Sequence, residues 1–185
     1  DCGVHAISAA IHLLTDLEIP PRWLIKEANR LWWRGRFYRV FPGWAITPGQ
    51  LARFVNYLAK VLNLPLKAKR AHLSPEKVIS LIEEANQAVL VTIYWPDSNA
   101  PKIYYGESLL NANTHKQMNA HTMLLAAHDP DHKNGDLGTP WGFINSWVEK
   151  GEALFWMSDA DFKRSWGFKL PCLAMNAAVL VTRTD

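Results

Sequence analysis

The hydrophobic pattern of this 185-residue chain changes its period near residue 87. Before that point, apolar residues recur every three or four positions, which is the spacing of one buried helix face. After it, short runs rich in β-branched and aromatic residues alternate with turn sequences, which is typical of strands. Helices first and an antiparallel sheet second indicate an α+β fold. We therefore predict a single domain over residues 1–185, with helices over about 2–86 and the sheet over about 88–185.

Four helices are predicted in the first part of the chain, each from its own local signal. The first follows Asp1-Cys2-Gly3 and has apolar residues at helical spacing from Val4 to Leu14. The second begins at Pro20-Pro21, since proline favours the first helical position. Thr47-Pro48-Gly49-Gln50 is a capping box that begins the third helix. Ser74-Pro75-Glu76 begins the fourth in a similar way.

The later part of the chain predicts strands at 88–95, 121–128, 141–147, 153–157 and 177–182. Asn134-Gly135 predicts a hairpin connection that pairs the second of these strands with the third. The polar stretch 99–119 is predicted to be a long loop. Ser158-Asp159 is predicted to cap a short helix that ends near Trp166.

Composition and charge argue against several classes of protein. A net charge of +3 is too small to indicate a nucleic-acid partner without a clustered basic patch. No apolar run is long enough to span a bilayer. Two cysteines are too few for a disulfide scaffold, and no glycine-rich phosphate loop is present. We expect no nucleic-acid partner, no membrane segment, no metal and no cofactor.

Cys2 is a candidate nucleophile because it lies in the first turn of a predicted helix. Unpaired N–H groups and the positive end of the helix dipole stabilise a thiolate at that position. A cysteine with a lowered pKa is reactive, whereas a small buried cysteine that happens to precede a helix is inert. Gly3 is predicted to let a substrate backbone approach closely.

His121 and Asn145 are candidates for the base and for its orienting partner. A cysteine nucleophile needs a base within hydrogen-bond distance, and that base needs a group that holds it. His121 begins one predicted strand, and Asn145 lies in the next, so antiparallel pairing would bring them together. The amide oxygen would accept a bond from the imidazole and leave the other ring nitrogen for Cys2. Trp147 could cover that bond from water.

The other histidines are weaker candidates for the base or for a metal site. His5 lies one helical turn from Cys2 on the same helix, which is a poor position for a base across a cleft. His115 lies in the predicted loop without an orienting partner. The His and Asp residues within 128–132 match no zinc or calcium spacing, and a polar hairpin explains them.

Together these motifs resemble those of papain-like cysteine peptidases. Asp1-Cys2-Gly3 opens a helix, His121 opens a strand, and Asn145-Ser146-Trp147 lies in the following strand. With Ala6, the first motif is most similar to the bacterial branch that contains the bacteriocin leader-processing (double-glycine) peptidases. The resemblance implies a helical half packed on a sheet half, with a cleft between them. It also implies hydrolysis of a peptide or protein substrate through an acyl-enzyme.

The resemblance further implies a role for each candidate: Cys2 as nucleophile, His121 as general base and acid, and Asn145 as orienter. The chain departs from the family in two ways. The bacterial branch more often has Asp at the orienting position, whereas this chain has Asn145 there, as papain itself has Asn. The family's oxyanion Gln precedes the cysteine by several residues, so we expect further residues, including a Gln, before Asp1. Gln50 is available, but a helix cap explains it.

Three alternatives stay open from the sequence. An amidase or acyltransferase would use the same residues and pass the acyl group to an amine or thiol. A catalytically silent peptide-binding domain would keep the fold. The presence of Cys2, His121 and Asn145 argues against it, whereas the lack of the family's oxyanion Gln argues for it. The stretch 30–44 mixes arginine with aromatic residues and could bind nucleic acid. Packing of its aromatic rings on the core, with the arginines in water, explains it as well.

Overall fold

The computed structural model describes residues 2–30, 46–96, 99–111, 119–146, 154–168 and 176–184. The helices in these ranges are α1 Cys2–Thr15, α2 Pro21–Arg30, α3 Pro48–Val61, α4 Pro75–Ile82 and α5 Asp159–Trp166. The strands are β1 Leu66–His72, β2 Gln87–Trp95, β3 Lys102–Tyr105, β4 Ser108–Asn111, β5 Asn119–His128, β6 Lys133–Asn134, β7 Leu137–Gly138, β8 Trp141–Ile144, β9 Phe155–Met157 and β10 Ala177–Arg183. No helix in the described ranges is long and apolar enough to cross a membrane.

Eight of these strands form one sheet, in the order β1-β10-β2-β5-β8-β9-β3-β4. Every pairing in it is antiparallel. Strands β6 and β7 form a separate small hairpin between β5 and β8, where Gly135 has a φ of +59°. The predicted α+β class, the antiparallel sheet and the hairpin at Asn134-Gly135 are therefore confirmed.

The central strand β2 is buried on both faces, because helices cover both sides of the sheet. Ala88 and Leu90 belong to one apolar core together with residues of α1 and α3. Val89 and Val91 belong to a second core together with residues of α4 and α5. This arrangement explains why β2 reads as a continuous apolar run rather than an alternating one.

The helix starts follow the predicted capping signals. The N–H of Thr47 donates to Gln50 Oε1 over 2.8 Å, and the N–H of Gln50 donates to Thr47 Oγ1 over 3.4 Å. Ser74 accepts from the N–H of Lys77, and Ser158 accepts from the N–H of Asp161. These bonds satisfy N–H groups that have no partner inside the helix, so the predicted starts of α3, α4 and α5 are confirmed.

Strand β1 corrects the predicted division into helices first and a sheet second. It lies inside the range assigned to helices and pairs with β10 from Leu66↔Arg183 to His72↔Ala177. On its other edge, Asn56 of α3 bonds both backbone groups of Ala68, at 2.7 and 2.8 Å. A side-chain amide therefore takes the place of a further strand. The prediction missed β1 because its strand partner lies at the other end of the chain.

The predicted loop at 99–119 also needs correction, because it contains β3 and β4. Tyr105 pairs with Ser108 around a tight turn at Gly106, whose φ of +56° is favourable for glycine. Strand β3 also pairs with β9, so the hairpin joins the main sheet. Residues 112–118 lie outside the described ranges, and so does most of the arginine- and aromatic-rich stretch 30–44.

Helix α1 packs against β2 and β5 and runs along them. At its C-terminal end, Arg183 Nη1 donates to the carbonyl of Leu14 over 3.2 Å, and Arg183 lies beside the start of β2. At its N-terminal end, Cys2 contacts Thr122 near the beginning of β5. The N-terminus of α1 therefore lies at the end of the sheet where β2 finishes and β5 begins.

Candidate active site

Cys2 is the first residue of α1, and its side chain is partly buried. Its Sγ accepts a hydrogen bond from the backbone N–H of Thr122 over 3.4 Å. Sequence motifs do not indicate this contact, because every residue except proline has a backbone N–H. The contact holds Sγ of Cys2 at the start of β5. Thr122 follows His121 directly in the sequence.

Gly3 has a packing role that the sequence did not reveal. A Cβ built on Gly3 would lie only 2.8 Å from Cδ2 of Leu51, a fully buried residue of α3. Glycine at this position therefore lets α1 and α3 approach closely. A side chain at position 3 would point towards Leu51 in the protein interior. Close approach of a substrate backbone at Gly3 stays a prediction.

The structure brings His121 and Asn145 together. His121 is only 5% exposed, and its Nε2 lies 2.7 Å from Asn145 Oδ1. Strand β8 pairs with β5 up to Ile144↔Leu124, and Asn145 follows β8 directly rather than lying within it. With its proton on Nε2, the imidazole donates to the amide oxygen. Its Nδ1 is then the ring nitrogen available to the thiol.

The pKa of the Cys2 thiol reflects opposing effects. Burial alone raises it, while the hydrogen bond and positive charge of His121 and the N–H of Thr122 lower it. The lowering effects win, and the pKa falls from 9.0 to about 7. A substantial share of Cys2 is therefore thiolate at neutral pH, which is the reactive form of cysteine.

Two threonines support the sheet beneath the nucleophile. Thr122 lies directly opposite Thr92 of β2, and their hydroxyl oxygens are 3.0 Å apart. Both residues are buried. A buried hydroxyl pair in which each oxygen has a partner fixes the register of the two strands at this point. It thereby fixes the position of the Thr122 N–H that contacts Cys2.

A groove of about 680 Å³ begins beside Asn145 and Thr122 and runs along α1. It lies between the start of α2 and the end of β8. Polar and charged residues line both walls, namely His5, Ser8, His12, Glu18, Arg22, Thr122, Asn145 and Ser146. Cys2 and His121 lie outside this lining. The groove is large enough to hold several residues of an extended peptide.

The other candidate residues have separate positions. His5 lines the groove, while His128 packs at an angle against Trp141 with ring centroids 4.5 Å apart. His132 stacks on Trp156, with centroids 3.6 Å apart. The described residues contain no cluster of three or more His, Cys, Asp or Glu side chains that could hold a metal ion. Outside the described ranges lie Asp1, His115, Trp147 and Cys172.

Comparisons with known proteins give a structural match without a sequence match. No family model matches the sequence, and no curated protein matches it. Over its whole length the chain is similar to a crystal structure from Bacillus anthracis named a "putative C39-like peptidase", with a TM-score of 0.56. The match covers 90% of that chain at 13% sequence identity. The chain has a C39-like peptidase fold.

The C39-like fold supports the resemblance drawn from the sequence motifs at the level of architecture. An identity of 13% carries information about the fold alone. Assignment to the leader-processing branch and the catalytic roles of Cys2, His121 and Asn145 stay predictions.

Proposed function

We propose that this protein is a cysteine peptidase that acts through an acyl-enzyme on Cys2. The observation that carries this proposal is the 2.7 Å contact between His121 and Asn145, with the thiol of Cys2 beside the same imidazole. Such an arrangement offers a nucleophile, a base and an orienting group. The peptidase name of the protein from Bacillus anthracis, which has the same fold, supports the assignment.

The first half of the reaction would form the acyl-enzyme. The Cys2 thiolate attacks the carbonyl carbon of the scissile bond, and the carbonyl oxygen becomes an oxyanion. The N–H of Cys2 and the positive end of α1 stabilise that charge. The imidazolium of His121 gives its Nδ1 proton to the leaving nitrogen, and the C–N bond breaks. A thioester on Cys2 and a free amine result.

The second half would release the acid. His121 accepts a proton from water at Nδ1 while the water oxygen attacks the thioester carbon. The new tetrahedral intermediate collapses, and Sγ leaves as a thiolate beside the protonated imidazole. Throughout both halves, the bond from Nε2 to Asn145 Oδ1 keeps the ring in one orientation. Asn145 is therefore a positioning residue in this proposal.

The substrate class suggested by the motif Asp1-Cys2-Gly3 with Ala6 is a bacterial precursor peptide whose leader is removed. The groove beside Asn145 supports a peptide substrate, because its size suits an extended chain. We infer cleavage after a leader that ends in two glycines, as in the branch that the motif resembles.

The test is cleavage of a synthetic peptide library that includes Gly-Gly sequences, followed by mass spectrometry. Wild-type protein is compared with Cys2→Ala, and Cys172→Ala serves as the matched control. We expect cleavage by wild type and by the Cys172 variant and none by the Cys2 variant. Cleavage that survives in Cys2→Ala, or a wild type that cleaves nothing, would refute the proposal.

Added hydroxylamine separates hydrolysis from transfer and exposes the intermediate. A thioester on Cys2 should be trapped as a hydroxamate, in competition with water. If product forms only when an amine is added, the protein is an acyltransferase and the hydrolase assignment is wrong.

A further inference from the structure

The groove along α1 starts next to the candidate reaction centre without containing it. Thr122 lines the groove, and its N–H donates to Sγ of Cys2 over 3.4 Å. Asn145 lines the groove as well, and its Oδ1 lies 2.7 Å from Nε2 of His121. Cys2 and His121 themselves are not part of the lining. A substrate chain that continues from Cys2 past the imidazole therefore meets the groove at Thr122 and Asn145.

The orientation of the imidazole determines which half of a substrate passes that way. In the proposed reaction, Nδ1 of His121 protonates the leaving nitrogen while Nε2 faces Asn145. The leaving nitrogen must therefore lie against the imidazole in the tetrahedral intermediate. The four substituents of a tetrahedral carbon point apart, so the acyl half of the substrate is directed away from the ring. The chain that follows the leaving nitrogen continues towards Asn145 and into the groove.

The fold holds the connection between α1 and α2, which forms part of one wall. Ser8 Oγ on α1 donates to the carbonyl of Ile19 over 2.6 Å, and Ile19 is buried. The N–H groups of Trp23 and Leu24 donate to the carbonyl of Pro20, at 2.9 and 3.3 Å. These bonds fix the wall before any peptide binds. Because a preformed groove loses little conformational freedom on binding, its contacts contribute to affinity.

The lining becomes apolar further along α1. Beside Asn145 it is polar, whereas Ala9 and Ile25 are half-buried apolar residues that pack against the core. Ala9 follows Cys2 by seven residues, which is about 10 Å along a helix. An extended chain covers that length in about three residues. The side chain of about the third residue after the scissile bond would therefore lie near Ala9.

We propose that the groove along α1 binds the part of a peptide substrate that follows the scissile bond. We further propose that it selects an apolar side chain at about the third residue of that part. This inference rests on the proposed peptidase function. Ala9 and Ile25 are then specificity-determining residues rather than catalytic residues. Binding energy from remote parts of a substrate contributes to kcat as well as to KM, so kcat/KM is the quantity to measure.

The first test needs only wild-type protein. The probe is an amidated synthetic peptide with Gly-Gly before the scissile bond and about five residues after it, leucine being the third. Shortening the second part to one residue, or replacing the leucine by aspartate, should lower kcat/KM by about ten- to a hundredfold, as expected for a lost apolar pocket contact. Extension beyond about five residues is the control. It should leave kcat/KM unchanged, because the lining of α1 ends at His12.

The second test fills the groove with Ala9→Arg. This variant should cleave the long peptide about as slowly as the short one and should cleave the short peptide at the wild-type rate. Val61→Arg is the matched control, because Val61 is 52% exposed on α3 and lies outside the lining. It should keep the wild-type kcat/KM for both peptides.

Two results would overturn the role of the groove. One is a wild type that cleaves the long, short and aspartate peptides with kcat/KM values within about threefold, well below the loss of a pocket contact. The other is an equal fall for both peptides in Ala9→Arg, because Ala9 would then act on the fold or on the reaction centre. If Ala9→Arg does not fold, the wild-type series decides. A wild type that cleaves no peptide refutes the peptidase function itself, so the two failures are distinguishable.

Discussion

Removal of the His121 imidazole should return the Cys2 thiol to a high pKa. The fall from 9.0 to about 7 is two pKa units, which is about 2.7 kcal/mol at 1.36 kcal/mol per unit. His121 supplies the largest of the lowering contributions, and burial opposes them. In His121→Ala, burial stays and the main opposing charge is lost. We therefore expect the pKa of Cys2 to be 9 or higher in this variant.

The midpoint of the pH profile is a better observable than the rate at one pH. At pH 7 about half of the wild-type thiol is thiolate, against about one per cent of a thiol with a pKa of 9. A thiolate of lower pKa is, however, intrinsically less nucleophilic, by about tenfold over two units. The net difference in rate at pH 7 is therefore only about fivefold. The movement of the midpoint, from about 7 in wild type to 9 or higher in His121→Ala, is independent of this compensation.

The assay is the rate of iodoacetamide alkylation from about pH 5 to about pH 10, in a Cys172→Ser background that leaves one thiol. Mass spectrometry of the Cys2 peptide reports the extent of reaction. His128→Ala is the matched control, because His128 lies on the same strand but packs against Trp141. Its midpoint should stay near 7. A midpoint near 7 in His121→Ala would show that the imidazole does not stabilise the thiolate.

Two further substitutions test the supporting residues. Asn145→Ala removes the acceptor for His121 Nε2 and should lower kcat by about ten- to a hundredfold. This loss is smaller than the full contribution of about 10²–10⁴ from acid–base catalysis, because the base itself remains. Steady-state kinetics that match wild type would contradict the orienting role. Gly3→Ala places a methyl group against the buried Leu51 and should lower the free energy of unfolding by about 1–3 kcal/mol. Gly49→Ala, which meets nothing within 4 Å, should not be destabilising in the same urea titration; equal losses would argue against the packing explanation.

Features that depend on neighbouring residues could be read from the sequence. The starts of α3 and α4 were predictable because Thr47 and Ser74 bond to groups only three residues away. The approach of His121 to Asn145 was predictable for a related reason. A short hairpin fixes the pairing of two strands that are close in sequence, and the period of two then decides which side chains share a face.

Strands with distant partners were not predictable in the same way. The sequence of β1, LKAKRAH, has few large apolar residues, because it lies at the sheet edge with basic side chains in water. Its strand partner is β10, at the other end of the chain, and Asn56 of α3 bonds the backbone of Ala68 on the opposite edge. β3 likewise depends on β9. Local propensity cannot report pairings of that kind.

The sequence by itself determined that Cys2 stands at the start of a helix, but only the tertiary structure decided the state of its thiol. That state is the balance between burial, which raises the pKa, and His121 with the Thr122 N–H, which lower it. These groups come from a strand far along the chain. Caps and turns are interactions over three or four residues, whereas a pKa depends on distances in space. Folding alone sets those distances.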